Sequence, residues 1–168
     1  MPKLKNNSLI VLLVVIILGA LIVVGQQGDP MAKKDNPVTD RFENAIKAKE
    51  PKFKLVSKHA SKNPQDRSVL QGWKSDEDVV SVTTYELASA AEAADLLKKY
   101  LNAPISVPVQ TINLTQLGDE AYLRPTGPNS KDGPTYLFFR KGRFVVSMSG
   151  TTPGLAQRFA KHIADEIN

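Results

Sequence analysis

The residues of this 168-residue chain that could do chemistry are few: two histidines, His59 and His162, no cysteine, and two short groups of acids. A metal site would need carboxylates to complete it, and no His-x-x-x-His or Asp-x-Asp-x-Asp-Gly spacing occurs. The acids stand as Asp119-Glu120 and Asp76-Glu77-Asp78. Either group has the chemistry for a cation or for acid and base work with His59, which would make a hydrolase-like enzyme. Adjacent acids beside turn residues are, however, ordinarily just solvated. Ser147 and Ser149 alternate in an apolar run without a Gly-x-Ser-x-Gly elbow, as residues of a sheet face do. No catalytic, cofactor-binding or metal-ligating set is assigned, and no cofactor is expected.

What remains is charge. Asp76, Glu77 and Asp78 make one acidic hairpin tip, and Arg140, Lys141 and Arg143 make a basic one. These six are the candidate interaction surface, for weak self-association of copies or, at the basic tip, for an acidic ligand. Exposed ion pairs are worth only about 0.2 to 1 kcal/mol and fade with salt.

Everything else is placed by the stretch LIVLLVVIILGALIVV, Leu9 to Val24, which carries no charge. Extended to residues 9–27 it approaches the ~20 apolar residues of a membrane-spanning helix. Lys3 and Lys5 in residues 1–8 favour a cytoplasmic N-terminus by the positive-inside bias, although Lys33 and Lys34 oppose it. The expectation is a signal-anchor in the lipid of an inner membrane, a linker over 28–37, and an extracytoplasmic domain over 38–168. The alternative is a cleaved signal, with Val23 and Gly25 as an imperfect site before Gln26, and a secreted product.

The net charge of +5 is concentrated beside this segment: nine Lys and Arg against four acids between Met31 and Lys62. Such an excess suits anionic head groups or a solvated, Lys-rich helix and strand. It does not suit nucleic acid, because no basic run is interleaved with stacking aromatics.

The domain reads as strands and helices in a repeated order. Asp40 and Glu43 pattern the start of a first helix carrying Val38, Phe42 and Ile46, which ends before Pro51. Phe53, Leu55 and Ser57 alternate with lysines as a strand with one buried side. A hairpin follows with its tip at Ser75-Asp76-Glu77. Ser89 and Glu92 then cap a helix whose stripe is Ala90, Ala93, Ala94, Leu97 and Leu101. Pro104 and Pro108 restrict the next extended stretch to an edge strand or a crossing. A second hairpin turns at Lys141-Gly142, and Thr152-Pro153 opens a last helix with Ala156, Phe159, Ala160, Ile163 and Ile167 buried.

Residues 53–102 slide onto 119–168 without a gap, with eight of the 50 pairs identical, among them Val79/Val145, Val80/Val146 and Ala94/Ala160. The fold class is therefore α+β: an N-terminal transmembrane helix, then an antiparallel sheet of about six strands with helices packed on it, built from a duplicated strand-hairpin-helix unit. Each hairpin's helix is expected over the same sheet face, above Val80, Val82, Val146 and Met148. Trp73 and Phe139 would cover the other face with the first helix, and His162 would be solvated.

The turn Leu117-Gly118-Asp119-Glu120-Ala121, the hairpin LFFRKGRFVVSMSG and the closing helix together resemble the C-terminal half of small bacterial extracytoplasmic domains carried on anchors or lipoproteins, including kinase-associated sensor domains. The likeness covers about a third of the chain. It implies a non-catalytic module and carries over no site residue. The lipoprotein cysteine is missing, which leaves the apolar segment as the attachment. The function expected is a membrane-anchored binding or sensing module with a protein or small-molecule partner.

Overall fold

The computed structural model describes residues 37–61, 67–102, 112–114, 116–125 and 135–167. The chain divides into two units, Met1–Lys33 and Lys34–Asn168, and all the described residues belong to the second. The expected membrane segment, 9–27, lies outside them, as does the Pro104 to Pro108 stretch. No helix among the described residues is long and apolar enough to cross a membrane.

The element order is α1 (Pro37–Lys49), β1 (Lys54–Ala60), β2 (Ser68–Lys74), β3 (Val79–Glu86), α2 (Ala90–Asn102), β4 (Ile112–Asn113), β5 (Glu120–Pro125), β6 (Thr135–Lys141), β7 (Phe144–Gly150) and α3 (Pro153–Glu166). Six full strands and the two-residue β4 form one sheet in the order β1-β2-β3-β7-β6-β5-β4, every neighbour antiparallel. The α+β class stands.

Two meanders thus meet at the centre, where β3 pairs with β7 from Val80 opposite Gly150 to Glu86 opposite Phe144. The β6–β7 connection has the two residues Gly142 and Arg143, and Gly142 sits at φ 56. A positive φ at only the first of these positions is the type II′ geometry, which follows the twist of the strands. Thr152 caps α3 by accepting from the Leu155 amide at 3.3 Å, with Pro153 next, as expected. Ser89 Oγ accepts from the Glu92 amide at 3.2 Å at the start of α2.

The faces depart from expectation. Trp73 is opposite Val80, Phe139 opposite Val146, and Leu137 opposite Met148, so all six point the same way. They form one core with Phe42 and Ile46 of α1 and Leu155, Phe159 and Ile163 of α3. Phe159 lies edge-on to Phe53 at 5.0 Å and to Trp73 at 6.4 Å. α2 lies on the opposite face, where Tyr100 stacks on Phe138 at 5.3 Å and Arg124 Nη2 donates to the Leu101 carbonyl at 2.6 Å. Trp73 and Phe139 therefore share the α3 face rather than covering the other, and the two helices do not sit on one face. The reason is chemical: α2 buries only Ala93 and Leu97 fully, whereas α3 buries six residues and claims the aromatic side.

Two local expectations also need correction. The first helix begins at Pro37, whose ring is pre-set for a first helical turn, so Asp40 lies inside that turn rather than capping it. β1 carries a bulge between Leu55 and Ser57. The extra residue shifts the alternation, so that Lys58 faces α1 and reaches Asp40 at 2.7 Å and Glu43 at 2.9 Å.

Burial opposes ionisation of Glu43, but the hydrogen bonds from Lys47 and Lys58 outweigh it and hold its carboxyl below the ordinary value of 4.5. A carboxylate depressed in the folded state contributes stability above its unfolded value, lost as pH falls through the folded one. Lys58 is raised above 10.5, because its bonds to Asp40 and Glu43 outweigh burial, so its share is lost only as pH rises past that value. Thermal melts should show Glu43→Gln less stable than the parent above pH 4.5, the difference narrowing as pH falls below it. A difference constant across that range would place Glu43 outside the α1–β1 ion pairs.

Candidate interaction face

The basic tip is already occupied. Arg140 reaches Asp119 at 2.7 Å and Glu120 at 3.0 Å, and Asp119 also accepts from the Gly142 amide at 2.9 Å. Lys141 Nζ donates to the Ala164 carbonyl at 2.9 Å, tying the turn to α3. Arg143 pairs with Glu86 on the neighbouring strand. At the acidic tip Asp78 bonds Thr151 and its amide donates to Ser75 Oγ, leaving Asp76 and Glu77 exposed. The antiparallel register sets the tips at opposite ends of the sheet, one beside Thr151 and the other beside Leu87, whose amide donates to the Arg143 carbonyl.

Asp119 and Glu120, the acids of the hydrolase reading, are likewise structural, both held by Arg140. His59 is on edge strand β1 and Asp119 and Glu120 are at the start of β5, five strand spacings away, on the order of 24 Å. They are not brought together. His162 is not solvated as expected: half-buried, it meets Glu50 Oε1 at 3.2 Å, an oxygen shared with Arg158 Nε at 3.1 Å. Among the described residues no group of three His, Asp or Glu could hold a metal ion.

A cleft of about 530 Å³ opens between α3 and the β4–β5 connection, lined by Asn113, Gln116, Gln157, Arg158 and Lys161 among others. Its two cations already have acids, Glu50 for Arg158 and Asp165 for Lys161.

The unexpected feature is the half of the α2 face that α2 leaves open. Side chains of β1, β2 and β3 that alternate with the core positions point there: His59 opposite Leu70, Leu70 opposite Thr83, Gly72 opposite Ser81, and Ser81 opposite Ser149. The bulge turns Val56 and Ser57 onto the same side, over Gly72. A Cβ built on Gly72 would lie 2.5 Å from Ser57 Oγ and 3.6 Å from Val56 Cγ2. Among the described residues, three of the exposed large hydrophobics, Val56 (59%), Val79 (47%) and Leu70 (39%), belong to this open half, while Tyr136 (41%) lies on β6, stacked on Phe138 beside α2.

Single exposed apolar residues are ordinary, but three on neighbouring strands of one face are a patch. Lys54 and Lys74 stand directly opposite one another at its end, and neither has an acidic partner among the described residues. Like charges paired across strands are unfavourable. The only signal in the sequence was Gly72, which interrupts an otherwise alternating strand.

No known family model matches the chain, and no curated protein matches it. One solved structure is similar, described as a GTP binding regulator from Thermotoga maritima: 16% identity, 78% of this chain and 90% of that one covered, TM-score 0.47.

Proposed function

We propose that the chain is a non-enzymatic binding or sensing module, held by residues 9–27 on the outer side of a cytoplasmic membrane, and that the open half of its sheet is the surface that binds. The observation that carries the binding reading is the asymmetry of the two faces. Among the described residues α1 and α3 together cover one, while on the other α2 covers a part and leaves an apolar patch ending in Lys54 and Lys74, which have no acidic partner there. An apolar, cation-edged patch beside a helix costs solubility unless something covers it. The anchor reading is supported by the uncharged run from Leu9 to Val24 and by Lys3 and Lys5 before it.

The topology has a direct test. Protease added to spheroplasts should digest the domain and leave a small protected N-terminal fragment. A protected domain would reverse the orientation, and a soluble product starting near Gln26 would show a cleaved signal instead.

A further inference from the structure

We propose that the cleft between α3 and the β4–β5 connection binds a small monocarboxylate carrying several hydroxyl groups, of the uronic or aldonic acid type. The cleft lies at the opposite edge of the sheet from β1 and β2, so this second site stands apart from the open face and does not rest on its role.

The volume of about 530 Å³ is that of a small-molecule pocket. Gly154, Gln157, Arg158 and Lys161 recur at helical spacing and form one wall along α3, with Asn113 and Gln116 on the other. None of the described lining residues is an acid.

The ion pairs around the two cations leave charge over. Arg158 Nε bonds Glu50 Oε1 at 3.1 Å, the oxygen that also meets His162, and Lys161 shares Asp165 with Lys49. With His162 neutral, Lys49, Arg158 and Lys161 stand against Glu50 and Asp165 alone. At the β5 entrance Asp119 and Glu120 are balanced by Arg140 and Lys141. One positive charge is therefore unmatched. That suits a carboxylate better than a phosphate monoester, which carries about 1.5 to 2 negative charges. Arg158 is engaged only through Nε, so among the described residues Nη1 and Nη2 are free to hold both oxygens of a carboxylate.

The amides select the rest of the ligand. No hydrogen bond among the described residues uses the side chains of Asn113, Gln116 or Gln157. Each presents a donor and an acceptor, which a hydroxyl group answers with its own acceptor and donor. Leu114 and Leu117 offer an apolar surface to the C–H side of such a molecule. At Gly154 an added Cβ would meet nothing within 4 Å, so the cleft reaches the backbone there.

The test uses isotope-labelled full-length chain in an uncharged detergent, titrated with D-glucuronate and followed by nuclear magnetic resonance. The side-chain amide signals of Asn113, Gln116 and Gln157 should shift saturably, with Kd on the order of 1 mM. D-glucose, which lacks the carboxylate, and acetate, which lacks the hydroxyls, should each bind about tenfold more weakly or less. Arg158→Lys, which keeps the charge and loses the fork, should also weaken glucuronate binding about tenfold. Gly154→Leu should abolish it with no fall in melting temperature, because the side chain has room and leucine favours a helix over glycine. Should that variant prove unstable, Arg158→Lys decides alone. The site is overturned by the absence of a saturable shift, or by glucuronate binding unchanged in Arg158→Lys or in a folded Gly154→Leu. Glucose binding as tightly would overturn the carboxylate as the recognised group, and acetate binding as tightly would overturn the role of the three amides.

Discussion

Phe159→Ala should lower the unfolding free energy by about 3 to 5 kcal/mol, the usual cost of deleting a buried aromatic ring. Phe159 is fully buried at the middle of α3, with the rings of Phe53 and Trp73 edge-on to it at 5.0 Å and 6.4 Å. Truncation removes both edge-to-face contacts and leaves a void bounded by a sheet that cannot collapse into it. Domains of this size are stable by only about 5 to 15 kcal/mol, so the variant should be near its unfolding threshold. Trp73 is the only tryptophan and is itself fully buried, which makes its fluorescence a local reporter. Denaturant titration should show a lower midpoint, and Trp73 emission should shift as water or mobile side chains reach the indole. A midpoint moved by less than about 1 kcal/mol equivalent would mean that α3 does not rest on Trp73.

The α3 stripe was legible because it is dense. Ala156, Phe159, Ala160, Ile163 and Ile167 recur at helical spacing, and all five are buried. The turn at Gly142 and the cap at Thr152 were legible because each is a local device with its own residue chemistry. The side on which α2 packs was not. Its stripe of alanines matches either face of a sheet, and only the long-range competition with α3 for Trp73, Phe139 and Met148 decides between them. Strand alternation in β1 failed for a related reason. A bulge at Val56 leaves no mark in a run of lysines and β-formers, yet it sends Lys58 to α1 and Ser57 to the other face. The site was misread for the opposite reason to the helices. Charge is conspicuous in a sequence, so the tips drew attention, but Arg140 and Arg143 are spent on Asp119, Glu120 and Glu86, partners far apart in the chain. The exposure of Leu70, Val79 and Tyr136 carries no local signal, because nothing near them in the chain tells which part of the sheet a helix will cover.

Gly118→Ala should cost about 3 kcal/mol, through backbone strain of ~1 to 3 kcal/mol plus a steric clash that strain alone does not include. Gly118 has φ 134, a conformation that a residue with a Cβ adopts only under strain. A Cβ placed there would meet the Arg140 carbonyl oxygen at 2.5 Å. That oxygen cannot move aside cheaply, because it accepts from the Asp119 amide at 2.9 Å. Asp119 in turn fixes Arg140 and the Gly142 amide through its carboxylate. The β5 entrance and the β6–β7 turn are therefore one unit, and displacing the first should loosen the second. Leu117, buried against the core just before the glycine, would be dragged with it. Hydrogen exchange separates this from a uniform loss of stability: protection should fall most at Asp119, Ala121 and Gly142, and least in β1 and β2. Gly142→Ala makes the control. It has φ 56 but nothing within 4 Å of the added Cβ, so it should cost only the conformational strain, about 1 to 2 kcal/mol. If the two alanine variants proved equally stable, the close approach of Gly118 to the Arg140 carbonyl would not be the constraint that makes this position a glycine.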